Sequence, residues 1–333
     1  MKFLYTFLLV LFLLPKSHAQ TQLEGELKFH GFVDNREYAK SGRNSQTILG
    51  SRIGGEIGLF IDSAHRIRVG ANALQEFGDN EFVRSVIPTI YYQYKYKRID
   101  FYLGAFPRYP YLKEYPRLLL NDTLDYYRPN IEGMLLNYKG NKFYGSLWID
   151  WTGKQSQNTR ETFLVGLDAR LNLGKFFISH YGYMYHKAFS DNPANEYLED
   201  NGISLLKIGV GLKDVGVLDS LTLSAGSSVS FERMRSLTGM NIPKGFVADI
   251  DVNYRQFFLQ NSFYKGEGHR LILGDSFYTS KTYNRLDLGW KPLATKNLEG
   301  KLKFSFHFVD GTMDNQQSFV LRYKIAGSKR IGK

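Results

Sequence analysis

Apolar and polar residues alternate with period two along nearly the whole chain beyond residue 20. In residues 246–255 the even positions are Phe246, Ala248, Ile250, Val252 and Tyr254, while the odd ones include Asp249, Asp251, Asn253 and Arg255. Successive side chains of a strand point to opposite faces, so this segment has one apolar and one charged face. Residues 163–171, 302–308 and 319–325 repeat the design, and weaker copies fill most of the rest. The parity of three strand-like stretches, near 131–139, 176–186 and 256–265, is ambiguous. The pattern predicts about 16 strands (between about 14 and 18), each roughly 9–13 residues long, and an all-β fold.

Connections alternate between short and long. Short ones fall near residues 62–66, 97–100, 139–142, 173–175, 213–220, 255–256 and 292–300, rich in turn formers such as Lys139-Gly140-Asn141. Long polar ones fall near 34–51, 76–84, 107–130, 152–161, 187–201, 232–244, 266–283 and 309–317. A secreted β-sandwich also alternates, but its connections have no reason to keep this phase.

Residues 1–19 read as a separate object. Met1-Lys2 opens it, an apolar run spans Phe3–Leu14, and Ser17-His18-Ala19 supplies small residues for cleavage, the layout of a secretory signal peptide. Its apolar run falls short of the roughly 20 residues that a membrane helix needs. No later run of about 18 apolar residues exists, so a membrane-spanning form must cross as strands, every backbone group satisfied by closing the sheet. The expectation is a transmembrane antiparallel up-and-down barrel over residues 20–326, followed by a basic tail at 327–333. With no cysteine, disulfides and thiol chemistry are excluded. The 25 Phe and 23 Tyr suit pleated surfaces and interfacial girdles. The net charge of +11 is spread along the chain, which fits a solvated surface and a basic lumen better than a nucleic-acid partner.

Signal peptide, amphipathic strands and short-turn/long-loop phase together resemble the porin-like outer-membrane β-barrels of Gram-negative bacteria. The resemblance implies export to the outer membrane and a diffusion channel for small polar or anionic solutes. The alternative is a non-conducting barrel that serves as a structural subunit of a larger outer-membrane complex. Outer-membrane lipid is the implied surrounding, with a homo-oligomer or other outer-membrane proteins and lipoproteins as partners. The chain departs from many such barrels at its end, which is basic and closes on Lys333.

Parity assigns Arg52, Glu56, Arg68, Lys95, Asp168, Arg170, Asp249, Asp251, Arg255, Arg285, Asp287, Lys303, Arg322 and Lys324 to the pore lining. An excess of positive charge there favours anions; cross-strand ion pairing is the plainer use of any single one. Loop 107–130 is the third outer loop in this count. The resemblance implies that it folds inward and narrows the pore, with Arg108, Glu114, Arg117, Asp122, Asp125 and Arg128 placing charge across the constriction. A surface lid or a partner contact is the other use of such a loop. Leu118-Leu119-Leu120 needs an apolar surface to pack on.

Catalysis finds little support in the sequence. The histidines His18, His30, His65, His180, His186, His269 and His307 are scattered, and neither G-x-S-x-G nor H-E-x-x-H occurs. His180 and His186 are about 20 Å apart along one strand. His30 and His307 point inward from the first and next-to-last strands. Asp249-x-Asp251 and Asn121–Asp125 are weak metal motifs. The expectation is no enzyme, no metal and no cofactor.

Overall fold

The computed structural model describes residues 21–113 and 115–331. The expected signal peptide, Glu114, Gly332 and Lys333 lie outside the described residues. Sixteen antiparallel strands form one closed barrel in which each pairs with its sequence neighbour and the first pairs with the last. They are β1 Thr21–Glu37, β2 Gln46–Ile61, β3 His65–Glu76, β4 Ser85–Tyr96, β5 Ile99–Pro107, β6 Asn130–Lys139, β7 Phe143–Gly153 and β8 Thr162–Leu173. The second half comprises β9 Phe176–Lys187, β10 Glu199–Val215, β11 Leu218–Met234, β12 Lys244–Tyr254, β13 Phe257–Gly266, β14 Thr282–Ala294, β15 Leu298–Val309 and β16 Thr312–Ile331. One short helix, α1 (Thr123–Tyr127), lies between β5 and β6.

The outer face follows the predicted parity. Ile57, Ile90, Leu103, Leu147, Ile208 and Phe304 point out and are exposed. They form the apolar belt that lipid requires of such a wall. Charge on this face is costly, so Leu147→Arg, midway along β7, is expected to lower stability by about 2–4 kcal/mol. Urea unfolding of vesicle-reconstituted protein measures it.

Several boundaries differ from the sequence expectation, two of them toward the C-terminus. The connection expected over 309–317 is a two-residue hairpin, Asp310 (φ 51) and Gly311 (φ 77), flanked by the Val309↔Thr312 pair. Left-handed backbone at both positions matches the strand twist, which is why Asp-Gly serves there. The stretch expected as a tail after residue 326 is strand as far as Ile331, paired with Thr21–Gly25 of β1.

The lumen is filled in its outer half. Two outer loops, 108–129 and 267–281, carry Leu112, Leu118, Leu119, Leu120, Leu124, Phe277 and Tyr278 inward. There they pack against inward-facing side chains of the wall, including Phe106, Ile131, Leu135, Trp148, Leu164, Leu205 and Tyr283. Phe32, Ile48 and Leu74 close the same layer around Tyr126 on β1–β3. This dry core explains two of the three stretches of ambiguous parity. In β6 and β9 the lumen face is largely apolar as well, because Ile131, Leu135, Phe177, Tyr181 and Tyr183 meet the plug or line the same face, whereas β13 sets Phe258 and Tyr264 beside the polar Gln260 and Ser262. Gly166 on β8 lies beneath the Trp148 indole, and an added Cβ would sit 2.2 Å from its ring.

Candidate functional site

The loops are tied to each other and to the wall. The Asn121 backbone N–H donates to the Leu273 carbonyl at 2.7 Å, and the Asp275 N–H to the Arg117 carbonyl at 3.0 Å. The Trp148 indole N–H donates to the Tyr115 hydroxyl at 2.8 Å. Of the residues expected at a constriction, Arg108 is buried, pairs with Asp150 of β7, and donates to the carbonyls of Arg128 and Asn130 at 3.0 Å each. Arg117 pairs with Asp122 and lies 3.8 Å from Asp275. Asp122 also lies 3.5 Å from Lys303, and Asp125 is 3.1 Å from Arg322. These charges fasten the loop to β7, β15 and β16. Breaking the Arg108–Asp150 pair strands a buried carboxylate, so Arg108→Leu should cost about 3–5 kcal/mol. Arg108→Leu combined with Asp150→Leu should recover part of that in the same unfolding assay.

The predicted lining residues divide by depth. Arg52, Glu56, Asp168, Arg285 and Asp287 are buried on the lumen side. Arg68, Arg170, Asp249, Asp251, Lys303 and Arg322 are half-buried there, and Lys95 and Lys324 are exposed toward the inner mouth. Arg255 is not on the wall: it occupies the β12–β13 turn at φ 52, where the backbone must reverse. Most of these charges are paired, as in Lys207–Asp249 at 2.8 Å and Arg285–Asp287 at 2.6 Å. Below the plug an open cavity of about 560 Å³ remains, reaching the inner turn at Thr295–Asn297.

The described histidines lie in several settings. His307 is fully buried near the outer rim, hydrogen-bonded to Tyr283 at 2.7 Å and stacked on Phe277. His30 does not join it. Their β16 partners are Asp314 and Arg322, about 26 Å apart along the strand. His269, in loop 267–281, is bridged by Ser228 (2.8 Å) and Ser230 (2.6 Å), one on each ring nitrogen. Burial pushes its pKa down to about 4, against a smaller opposing pull from Glu267. Both nitrogens are occupied and the site is dry, so this group anchors the loop to β11 and is poorly placed to take a proton from substrate.

His186, like His65 and His180, faces outward, but among the described residues it alone of the three is held by a carboxylate. Its chain neighbour Tyr185 is buried on the lumen side, whereas Met184 shares its exposed face. Register aligns Trp151, Phe163, His186, Asp200 and Arg233 in one outward row across β7–β11, at the outer ends of the strands. The His186 Nδ1 lies 2.9 Å from the Asp200 carboxylate, whose other oxygen accepts from Arg235 Nε at 2.7 Å. The His186 ring packs 5.2 Å from Phe163, itself stacked on Trp151 at 5.0 Å. Among the described residues no protein hydrogen bond to His186 Nε2 is formed. An imidazole oriented by a carboxylate with its far nitrogen open is the arrangement of a general base. The sequence reading missed it because Asp200 is fourteen residues away, in a stretch expected to be loop.

A family model described as lipid A 3'-O-deacylase-type matches residues 15–326. The chain belongs to this family. That finding overturns the expectation that the protein is not an enzyme, which rested on the lack of local catalytic motifs. A site assembled across strands leaves no such motif. No curated protein sequence matches. Among solved structures, the chain resembles a loop-deletion mutant of OmpT, an outer-membrane protein of Vibrio cholerae (TM-score 0.56, 10% identity, 93% of this chain and 100% of that one). It also resembles an anion-selective porin from Comamonas acidovorans (0.55, 11%, 92% and 100%) and OccK2 of Pseudomonas aeruginosa (0.54, 8%, 91% and 98%). At these identities the likeness concerns the fold, a porin-like barrel.

Proposed function

We propose that the protein is an outer-membrane hydrolase of a Gram-negative bacterium that removes the ester-linked acyl chain at the 3'-oxygen of lipid A. The observation that carries this reading is the His186–Asp200 pair on the lipid side of the outer rim. Lipid A lies in the outer leaflet, so a base that serves it belongs on the outer wall and not in the lumen. The row beside it suits that substrate. Trp151 and Phe163 offer an apolar, interfacial surface for acyl chains. Arg233 and Arg235 offer guanidinium groups to a phosphorylated headgroup.

In the reaction, water held by His186 Nε2 attacks the acyl carbonyl and gives its proton to the imidazole, while Asp200 stabilises the imidazolium. The tetrahedral oxyanion collapses, the bond from carbonyl carbon to sugar oxygen breaks, and the proton passes to the departing sugar oxygen. The products are a fatty acid and a free 3'-hydroxyl. Release of fatty acid from lipid A vesicles by the purified protein, lost in Asp200→Asn, tests the reading. A protein that releases none and conducts ions steadily supports the porin-like diffusion channel instead. The plug favours a second reading, a non-conducting barrel within a larger envelope complex, which a pull-down from native membranes would reveal.

A further inference from the structure

The cavity below the plug carries unmet polar groups. Among the described residues, ten buried side-chain polar atoms have no hydrogen-bond partner, and six belong to residues that line this one cavity: His30, Arg52, Arg68, Thr89, Arg108 and Asn130. Buried polar groups are ordinarily satisfied, and these exceptions gather around one polar chamber. Charge singles out one of them. Lys28 is 2.5 Å from Glu26 and 3.0 Å from Glu56, and Arg66 and Arg68 reach Glu24 at 2.6 and 2.8 Å. Lys324 is 2.5 Å from Glu26, and Arg322 reaches Asp125. Arg52 differs. It is buried to 5% exposure, yet its guanidinium donates only to the neutral Asn72 Oδ1 and the Tyr126 carbonyl, leaving Nε unused. Register sets Arg322, His30 and Arg52 side by side on β16, β1 and β2.

We infer that this cavity binds a compact oxyanion, a phosphate or carboxylate group of a small solute entering from the periplasmic end. Its charge docks on Arg52, with His30 and Arg322 beside it. Thr89 and Asn130 take hydrogen bonds from the rest of the solute. The lower carboxylates are already saturated with cations and do not repel the ligand from this end. The inference is independent of the lipid-side pair, which lies on the other face of the wall.

The test is calorimetric titration of the full detergent-solubilised chain with inorganic phosphate and, separately, with succinate. Saturable binding of at least one is expected, and which one binds assigns the anion as phosphoryl or carboxylate. Arg52→Gln should weaken binding at least tenfold. Because Arg52 also holds loop 108–129, the decisive variant is Asn72→Asp. It keeps the acceptor oxygen in place, gives Arg52 a carboxylate partner, and should likewise weaken binding tenfold or more. No saturable binding of either anion, or unchanged affinity in Asn72→Asp, overturns the inference.

Discussion

Reconstituted in a planar bilayer, the wild-type protein will pass no steady ionic current, and shortening both plugging loops will open it. A closed sheet of sixteen strands encloses a lumen wide enough for water and solutes. Here that width is occupied by Leu118, Leu119, Leu120, Leu124, Phe277 and Tyr278, all buried against the wall. A dry apolar layer is a poor path for ions, since moving a charge out of water without a partner costs many kcal/mol. Replacing residues 111–127 with a short Gly-Ser linker removes most of that layer, and trimming 269–279 as well removes the remainder. Partial current from the first variant and larger, steady current from the second are expected. The strand wall keeps its own complete hydrogen bonding, so both variants should still form a barrel. Porin-like current from the wild type would contradict the plugged lumen.

His186→Ala will lower fatty-acid release from lipid A by at least about a hundredfold, since a positioned general base contributes roughly 10²–10⁴ in rate. The fall should appear in the chemical step, with little change in lipid association, because Trp151, Phe163 and Arg233 still supply the surface. His269→Gln serves as the control: that histidine is sealed between Ser228 and Ser230 and touches no lipid. Equal loss in both variants would point to a shared folding defect and count against the dyad.

The barrel was legible in the sequence because lipid imposes a strict rule on one face. Ile57, Leu147 and Phe304 had to be apolar at every second position, and the structure exposes all three. The plug was partly legible. Leu118-Leu119-Leu120 required an apolar partner, and ambiguous parity in β6 and β9 was the imprint of that partner on the lumen face. What could not be read was the pairing between loop charges and wall, such as Asp125 with Arg322, 197 residues apart. The His186–Asp200 pair was hidden for the same reason. Catalytic motifs are recognisable when a local turn or helix sets their spacing. Across a sheet, register sets it, and register emerges only once the strands are paired.

If a base on the lipid side of the outer rim cleaves lipid A, the product accumulates in the cell's own outer membrane. The most direct measurement is mass spectrometry of lipid A extracted from a host expressing either the wild-type chain or His186→Ala. Lipid A lacking its 3'-O-linked acyl chain is expected with the wild type and intact lipid A with the variant. Intact lipid A from both, or the same loss from both, would rule out cleavage by His186.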